Sequence, residues 1–269
     1  MIIDFHTHVF PDKIAAATVD ALATKGGIRA YSDGTAEGLL SALSDAGVDI
    51  AVNLPVLTKP TQFESVLSFA RGLCEREYSG PRIISFAGAH PDMEDVEEKL
   101  QIVKDEGFLG IKLHPDYQGT FFDDPKYVRI IECAKALDLI VLTHAGFDCA
   151  YPGEPIKCTP SRVLRLLDKI GGYEKLVLAH IGGNELADEV YAELAGEDVY
   201  FDTAYSLHSV SEKTFKKILD KHGDKKMLFA TDSPWRNIKE EVGIIKSYAL
   251  GEETEKRIFS ENAIKLLGI

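Results

Sequence analysis

Short β-branched or apolar runs alternate along this chain with longer stretches of helical periodicity. The runs fall at 2–6 (IIDFH), 48–54 (VDIAVNL), 82–87 (RIISFA), 109–114 (LGIKLH), 139–144 (LIVLTH), 175–180 (KLVLAH), 198–203 (DVYFDT) and 226–232 (KMLFATD). Between them, Val96, Leu100 and Val103 recur at i, i+4 and i+7 within 93–106, and Val163, Leu166, Leu167 and Ile170 do so within 160–170, each marking one face of a helix. Asp124-Pro125 and Thr159-Pro160 pair a capping side chain with proline at the first helical position, and Gly107 and Gly171 stand where these helices should stop. The first strand-to-helix connection, 9–34, is long, with a short helix expected from Ile14 to Ala23 and a glycine-rich tail at Gly26-Gly27. Connections of this kind often cover an active face.

Strands that are apolar almost throughout are buried on both faces, as in parallel sheets covered by helices. Eight strand–helix units in 269 residues predict an α/β fold, a closed (β/α)8 TIM barrel formed as one domain over 1–269. The rival, a doubly wound open sheet, calls for a glycine-rich phosphate turn after an early strand, and neither GxGxxG nor a Walker A pattern occurs.

Composition narrows the partners. With 43 acidic against 30 basic residues the net charge is −13, which repels phosphate backbones and anionic lipid, so a small-molecule substrate is expected rather than nucleic acid or membrane. No apolar run approaches a bilayer span, and the first residues, MIIDFH, lack the basic and apolar regions of a secretory leader. Cys74, Cys133, Cys149 and Cys158 form no CxxC pair; they read as unpaired thiols in a cytoplasmic protein. A homodimer is the default assembly.

The chemistry-capable residues concentrate at strand ends. His6 and His8 stand two apart on the first strand, so their side chains share a face and can chelate one ion. Further strands end at His144, His180 and Asp232, and the fourth carries Lys112 and His114 on one face. In a barrel these ends gather at the catalytic mouth. Imidazole with carboxylate suits one divalent ion: zinc first, with manganese, iron, cobalt or nickel also compatible. Such an ion lowers the pKa of bound water toward neutrality and polarises a carbonyl. Lys112 is expensive to bury unpaired. It either pairs with Asp232 or an anionic substrate, or is carboxylated and bridges two metals. His114, Phe147, Tyr205, Trp235 and Arg236 are candidate substrate contacts, His90 reads as a loop-structural residue, and His222, near a helix C-terminus, as a solvated or dipole-complementing residue.

DFHTH (4–8), FAGAHP (86–91), GIKLHP (110–115), THAG (143–146), LAHIGG (178–183), YFDTA (200–204) and ATDSPW (230–235) together resemble the amidohydrolase superfamily. The chain is most similar to the amidohydrolase-related group that contains aminocarboxymuconate-semialdehyde decarboxylase and related metal-dependent hydrolases. The resemblance implies a barrel, ligation of one metal by His6, His8, His144 and Asp232, a role for His180 beside it, and Asp232 as the base. Two catalytic readings follow. One is hydrolysis of a small amide, ester or lactone, with Asp232 moving the proton and His180 or Lys112 steadying the oxyanion. The alternative is non-oxidative decarboxylation of a small unsaturated or aromatic acid, with His180 as acid–base and Arg236 on a carboxylate. A non-catalytic metal-binding scaffold is a remote third. Phosphoesterases of the related TatD type are disfavoured, because they tend to carry Glu where this chain has Lys112.

Overall fold

The computed structural model describes residues 1–269. In chain order it comprises β1 (Ile3–Thr7), α1 (Asp12–Gly26), α2 (Ala36–Ala46), β2 (Ile50–Asn53), α3 (Phe63–Glu75), β3 (Arg82–Ser85), β4 (Ala87–Gly88), α4 (Val96–Asp105), β5 (Gly110–Leu113), α5 (Pro125–Ala136), β6 (Ile140–Thr143), α6 (Pro160–Ile170) and β7 (Leu176–Leu178). There follow α7 (Ala187–Glu189), which runs into a π-helical turn over Val190–Leu194, then β8 (Tyr200–Asp202), α8 (Glu212–His222), β9 (Met227–Leu228), α9 (Ile238–Ser247), α10 (Glu252–Lys256) and α11 (Asn262–Leu267).

All strand pairs are parallel, in two sheets ordered β1-β2-β3 and β4 to β9. Backbone hydrogen bonds join them into a ring. At one seam the Phe86 N–H donates to Asn53 O at 2.9 Å; at the other the Phe5 N–H donates to Phe229 O at 2.9 Å, Asp232 to His6 O at 2.8 Å and His8 to Ser233 O at 2.7 Å. The run at 82–87 therefore forms two segments, because its first half pairs with β2 and its second with β5, as the stagger of a barrel requires. Likewise 226–232 contributes a ladder of only two residues and continues to Asp232 through the seam bonds.

Both strand faces are buried. Ile140 and Leu142 join Phe5, Val52, Phe86 and Leu228 in a core inside the ring, closed off by Leu266 and Leu267 of α11. Val141, between them, packs outward into the larger core shared with the helices. Helix starts follow the capping logic: the Asp124 side chain accepts from Lys126 N–H and that of Thr159 from Arg162 N–H, and Gly171 ends α6 at φ 64°. The helix expected over Ile14–Ala23 is longer than its periodicity implied, running from Asp12 to Gly26. It buries only Ala15 and Val19, so little apolar pattern marks its ends. No helix is long and apolar enough to cross a membrane, and all four cysteines are free.

Candidate metal centre and active site

The register of β1 against β2 shifts between Asp4 and Thr7, at the His-x-His segment. Such irregularities re-aim side chains. Here they bring His6 and His8 together, with Nε2 atoms 3.2 Å apart. Asp232 arrives across the seam: Asp4 accepts from the Thr231 hydroxyl at 2.6 Å and from its N–H at 3.0 Å, pinning the neighbouring residue to β1. Asp232 itself has φ 67°, a left-handed conformation that turns its carboxylate inward. Its Oδ1 lies 3.1 Å from His8 Nε2 and 3.5 Å from His6 Nε2.

The tautomers of this group follow from its supports. His8 Nδ1 lies 2.8 Å from the Leu54 carbonyl, which only accepts, so Nδ1 carries the hydrogen. His6 Nδ1 donates to Asp202 Oδ2 at 2.8 Å. Both Nε2 lone pairs therefore face Asp232, and three donors sit at the mutual spacing that a common ion about 2.1 Å from each would give. Asp202 is the hub beneath: its Oδ1 also accepts from the His180 N–H at 2.8 Å and the Ala204 N–H at 3.1 Å. Burial pushes its carboxyl up to about 6 against the pull of His180 and Lys112.

Lys112 is buried on the floor, Nζ 3.0 Å from His6 Nε2. Its hydrogen-bond partner is thus a histidine of the donor group, where sequence reasoning had offered Asp232, an anionic substrate or carboxylation. Burial lowers its amine to about 8, with Asp202 and Asp232 opposing.

A second group of His114, His144 and Asp148 has the same composition. Here the structure parts from the expected ligand set, because His144 is not within the His6–His8–Asp232 group. Its Nδ1 lies 2.9 Å from His180 Nε2, and its ring stacks on His114 with centroids 4.4 Å apart and planes 7° from parallel. His180 Nδ1 donates to the Ala204 carbonyl at 2.8 Å, so its Nε2 accepts from His144. That leaves His144 Nε2 without a partner, 3.8 Å from the equally unpartnered Asp116 Oδ2. Burial first, and Asp148 second, pushes Asp116 up to about 7. Burial holds the His6, His114 and His144 imidazoles well below the ordinary histidine range, hence neutral.

A cavity of about 510 Å³ opens over both groups, and Phe147, Tyr205 and Trp235 line it together with His114. Arg236 does not line it: the guanidinium lies 3.9 Å over the Tyr205 ring and Nε donates to Tyr205 O at 3.3 Å. His90 is buried in its loop, where Nδ1 accepts from Asp92 N–H at 3.1 Å. His222 is not solvated: it is buried, stacked on Phe201 with centroids 3.8 Å apart. His208 Nε2 meets buried Glu241 Oε1 at 2.7 Å. Sequence reasoning missed Asp202, Asp116 and Asp148. Asp202 ends a strand as His144 does, so the same rule could have found it; the other two lie in loops without periodicity.

Comparisons agree with this architecture. The amidohydrolase family model matches residues 3–269. Among solved structures, 2,6-dihydroxybenzoate decarboxylase from Rhizobium is 16% identical with a TM-score of 0.73, covering 99% of this chain and 98% of its own. The 5-carboxyvanillate decarboxylase of Novosphingobium aromaticivorans, complexed with manganese and 4-hydroxy-3-methoxy-5-nitrobenzoic acid, is 15% identical with a TM-score of 0.75, covering 100% and 96%. A candidate 2-pyrone-4,6-dicarboxylic acid hydrolase from Pseudomonas putida is 15% identical with a TM-score of 0.68, covering 99% and 97%. No curated protein matches the chain. The TM-scores carry the fold alone, but the family model spans nearly every residue from β1 to the C-terminus: the chain belongs to the amidohydrolase family.

Proposed function

We propose that this amidohydrolase-family enzyme is a divalent-metal-dependent, non-oxidative decarboxylase of a small aromatic or unsaturated carboxylic acid. The observation that carries this is Lys112, a buried cation beside the three-donor group on the floor of a cavity with apolar walls. That is where a carboxylate with an apolar body would rest. The similarity to two aromatic-acid decarboxylases supports the same reading.

His6, His8 and Asp232 would hold the ion, and His144 would complete the set once released from His180. The donors suit zinc or manganese, and manganese is the ion in the carboxyvanillate decarboxylase. When bound, the ion supplies positive charge that orients the substrate oxygens. Decarboxylation breaks the bond between the ring carbon and the carboxylate; the electron pair stays on carbon, CO2 leaves, and carbon takes a proton. Asp232 and His180 both line the cavity and are the groups able to move that proton. Lys112 Nζ lies 3.0 Å from His6 Nε2, a nitrogen that would hold the ion, and its charge would be free to pair with the substrate anion. Phe147, Tyr205, Trp235 and His114 pack the ring.

Hydrolysis is the second reading, favoured by the similarity to the candidate lactone hydrolase and by a donor set that serves either reaction. The products separate them. Manganese-loaded protein is expected to release CO2 from at least one acid in a panel of hydroxybenzoates and muconates, with Asp232→Asn lowering the rate about 10²–10⁴-fold. No CO2 from any panel acid, alongside ring opening of a pyrone or other lactone, would overturn the decarboxylase in favour of the hydrolase.

A further inference from the structure

The cavity is chemically two-sided. Every ionisable side chain that lines it comes from β1, from β5 onward or from the loops that follow those strands. The opposite flank, built by α1, the segment after β2 and α3, contributes none: its polar side chains are hydroxyls and one amide. On that flank Ile14, Leu22, Ile28, Val56, Val66 and Phe69 face the cavity. None of the six is fully buried, and Ile14 is 51% exposed, one of the few large apolar side chains the surface shows. A ring held over the metal donors leaves these side chains facing water. Apolar groups from two helices aimed into one cavity, with no charge among them, are a surface that a ligand completes.

From this juxtaposition we infer that the substrate is amphiphilic: a carboxylate-bearing ring at the metal end, extended by an uncharged alkyl or aryl tail lying between α1 and α3. The inference rests on the decarboxylase reading for the head of the molecule only. A second carboxylate or a phosphate on the tail is disfavoured, because no cation lines that flank.

The test is a chain-length series. Benzoate and its 4-ethyl, 4-butyl, 4-hexyl and 4-octyl derivatives are titrated into the manganese-loaded full chain. The fluorescence of Trp235, the single tryptophan and itself a lining residue, reports binding. Each added methylene is expected to tighten Kd about threefold to fourfold, as burial of a CH2 group predicts. Ile14→Asp, at an exposed position the fold tolerates, and Val66→Asp on the facing helix are expected to flatten that slope by placing a charge beside the tail. Affinity that ignores chain length in the native protein, or a slope that both variants leave unchanged, overturns the amphiphilic substrate. CO2 release is scored separately. A retained slope without CO2 release from any member rejects the reaction and keeps the tail site; CO2 release with a flat slope does the reverse.

Discussion

Two clusters in this barrel each contain two histidines and an aspartate, and their rings are held differently. In the first, carbonyl and carboxylate partners hold the far nitrogens of His6 and His8, so both Nε2 lone pairs converge on the Asp232 side, with donor separations of 3.1–3.5 Å. In the second, His114 and His144 lie 7° from parallel and 4.4 Å apart. Lone pairs lie in the ring plane, so two stacked imidazoles keep theirs in nearly parallel planes rather than aiming them at a common point. The difference lies in what stands behind each ring. His6 backs onto the Asp202 carboxylate at 2.8 Å, whereas His144 backs onto the His180 ring at 2.9 Å and leaves its Nε2 unsatisfied 3.8 Å from Asp116.

The sharpest way to break this contrast is to remove one histidine from each cluster. His6→Ala is expected to weaken manganese binding by at least about 100-fold, beyond the loss typical of outer-shell changes, and to abolish turnover. His114→Ala is expected to retain one manganese per chain and to lose affinity for aromatic acids instead. Metal content by elemental analysis after desalting decides it. An ion lost from His114→Ala and kept by His6→Ala would reverse the assignment of the two clusters.

Much of the first cluster was legible from sequence because strand ends obey a simple rule. His6, His8 and Asp232 close strands whose apolar runs stand out, and parallel strands in a ring bring such ends together. The rule also brought in His144 and His180, which line the same cavity, but it cannot see ring orientation. Here His144 turns Nδ1 to His180, and the backbone nearby is left-handed, with His180 at φ 63° and Gly146 at φ 86°. A side chain at Gly146 would collide with the Asn184 backbone, so this strand end can press against the next loop only as glycine. Lys112 and Arg236 show the same limit. Their charge was visible and their partners were not, because His6 and Tyr205 are distant in sequence. Asp116 and Asp148 left no signal, lying in loops whose shape comes from tertiary contacts.

A smaller effect sharpens the electrostatic side of the comparison. In the fold, burial holds the Asp116 carboxyl at about 7, against an ordinary value of 3.8. Between those limits the folded chain binds more protons there than the unfolded chain does. Stability is therefore complete below the ordinary value and falls as pH climbs through about 7. Asp116→Asn removes the titration. In chelator-treated protein the variant is expected to gain on the native chain by at least about 1 kcal/mol between pH 4.5 and pH 8, roughly 2–4 °C in Tm. Asp202→Asn shares the sign of that pH dependence, because burial raises its carboxyl too, to about 6, but it should lose net stability at both pH values, because it gives up a carboxylate that holds His6, His180 and Ala204. Equal shifts for the two variants would mean that the two carboxylates are alike after all.

The mildest test lies where the second cluster reaches α1. Tyr117 packs edge-on against His114 at 4.7 Å between centroids, and Tyr151 against Tyr117 at 5.2 Å. Lys25, in the last turn of α1, places Nζ 3.6 Å from the Tyr151 centroid and 4.8 Å from that of Tyr117. The aromatic column that starts at the stacked histidines thus ends under a cation carried by the helix that walls the cavity. An exposed contact of this type contributes about 0.5–1 kcal/mol. Lys25→Met keeps the length of the side chain and removes its charge, so α1 should be held less firmly while the metal donors stay untouched. KM is expected to rise about twofold to fivefold with kcat and manganese content unchanged. A fall in kcat at constant KM would mean instead that the column steers the imidazoles themselves, and the line drawn between an ion-holding cluster and a ring-holding one would have to move.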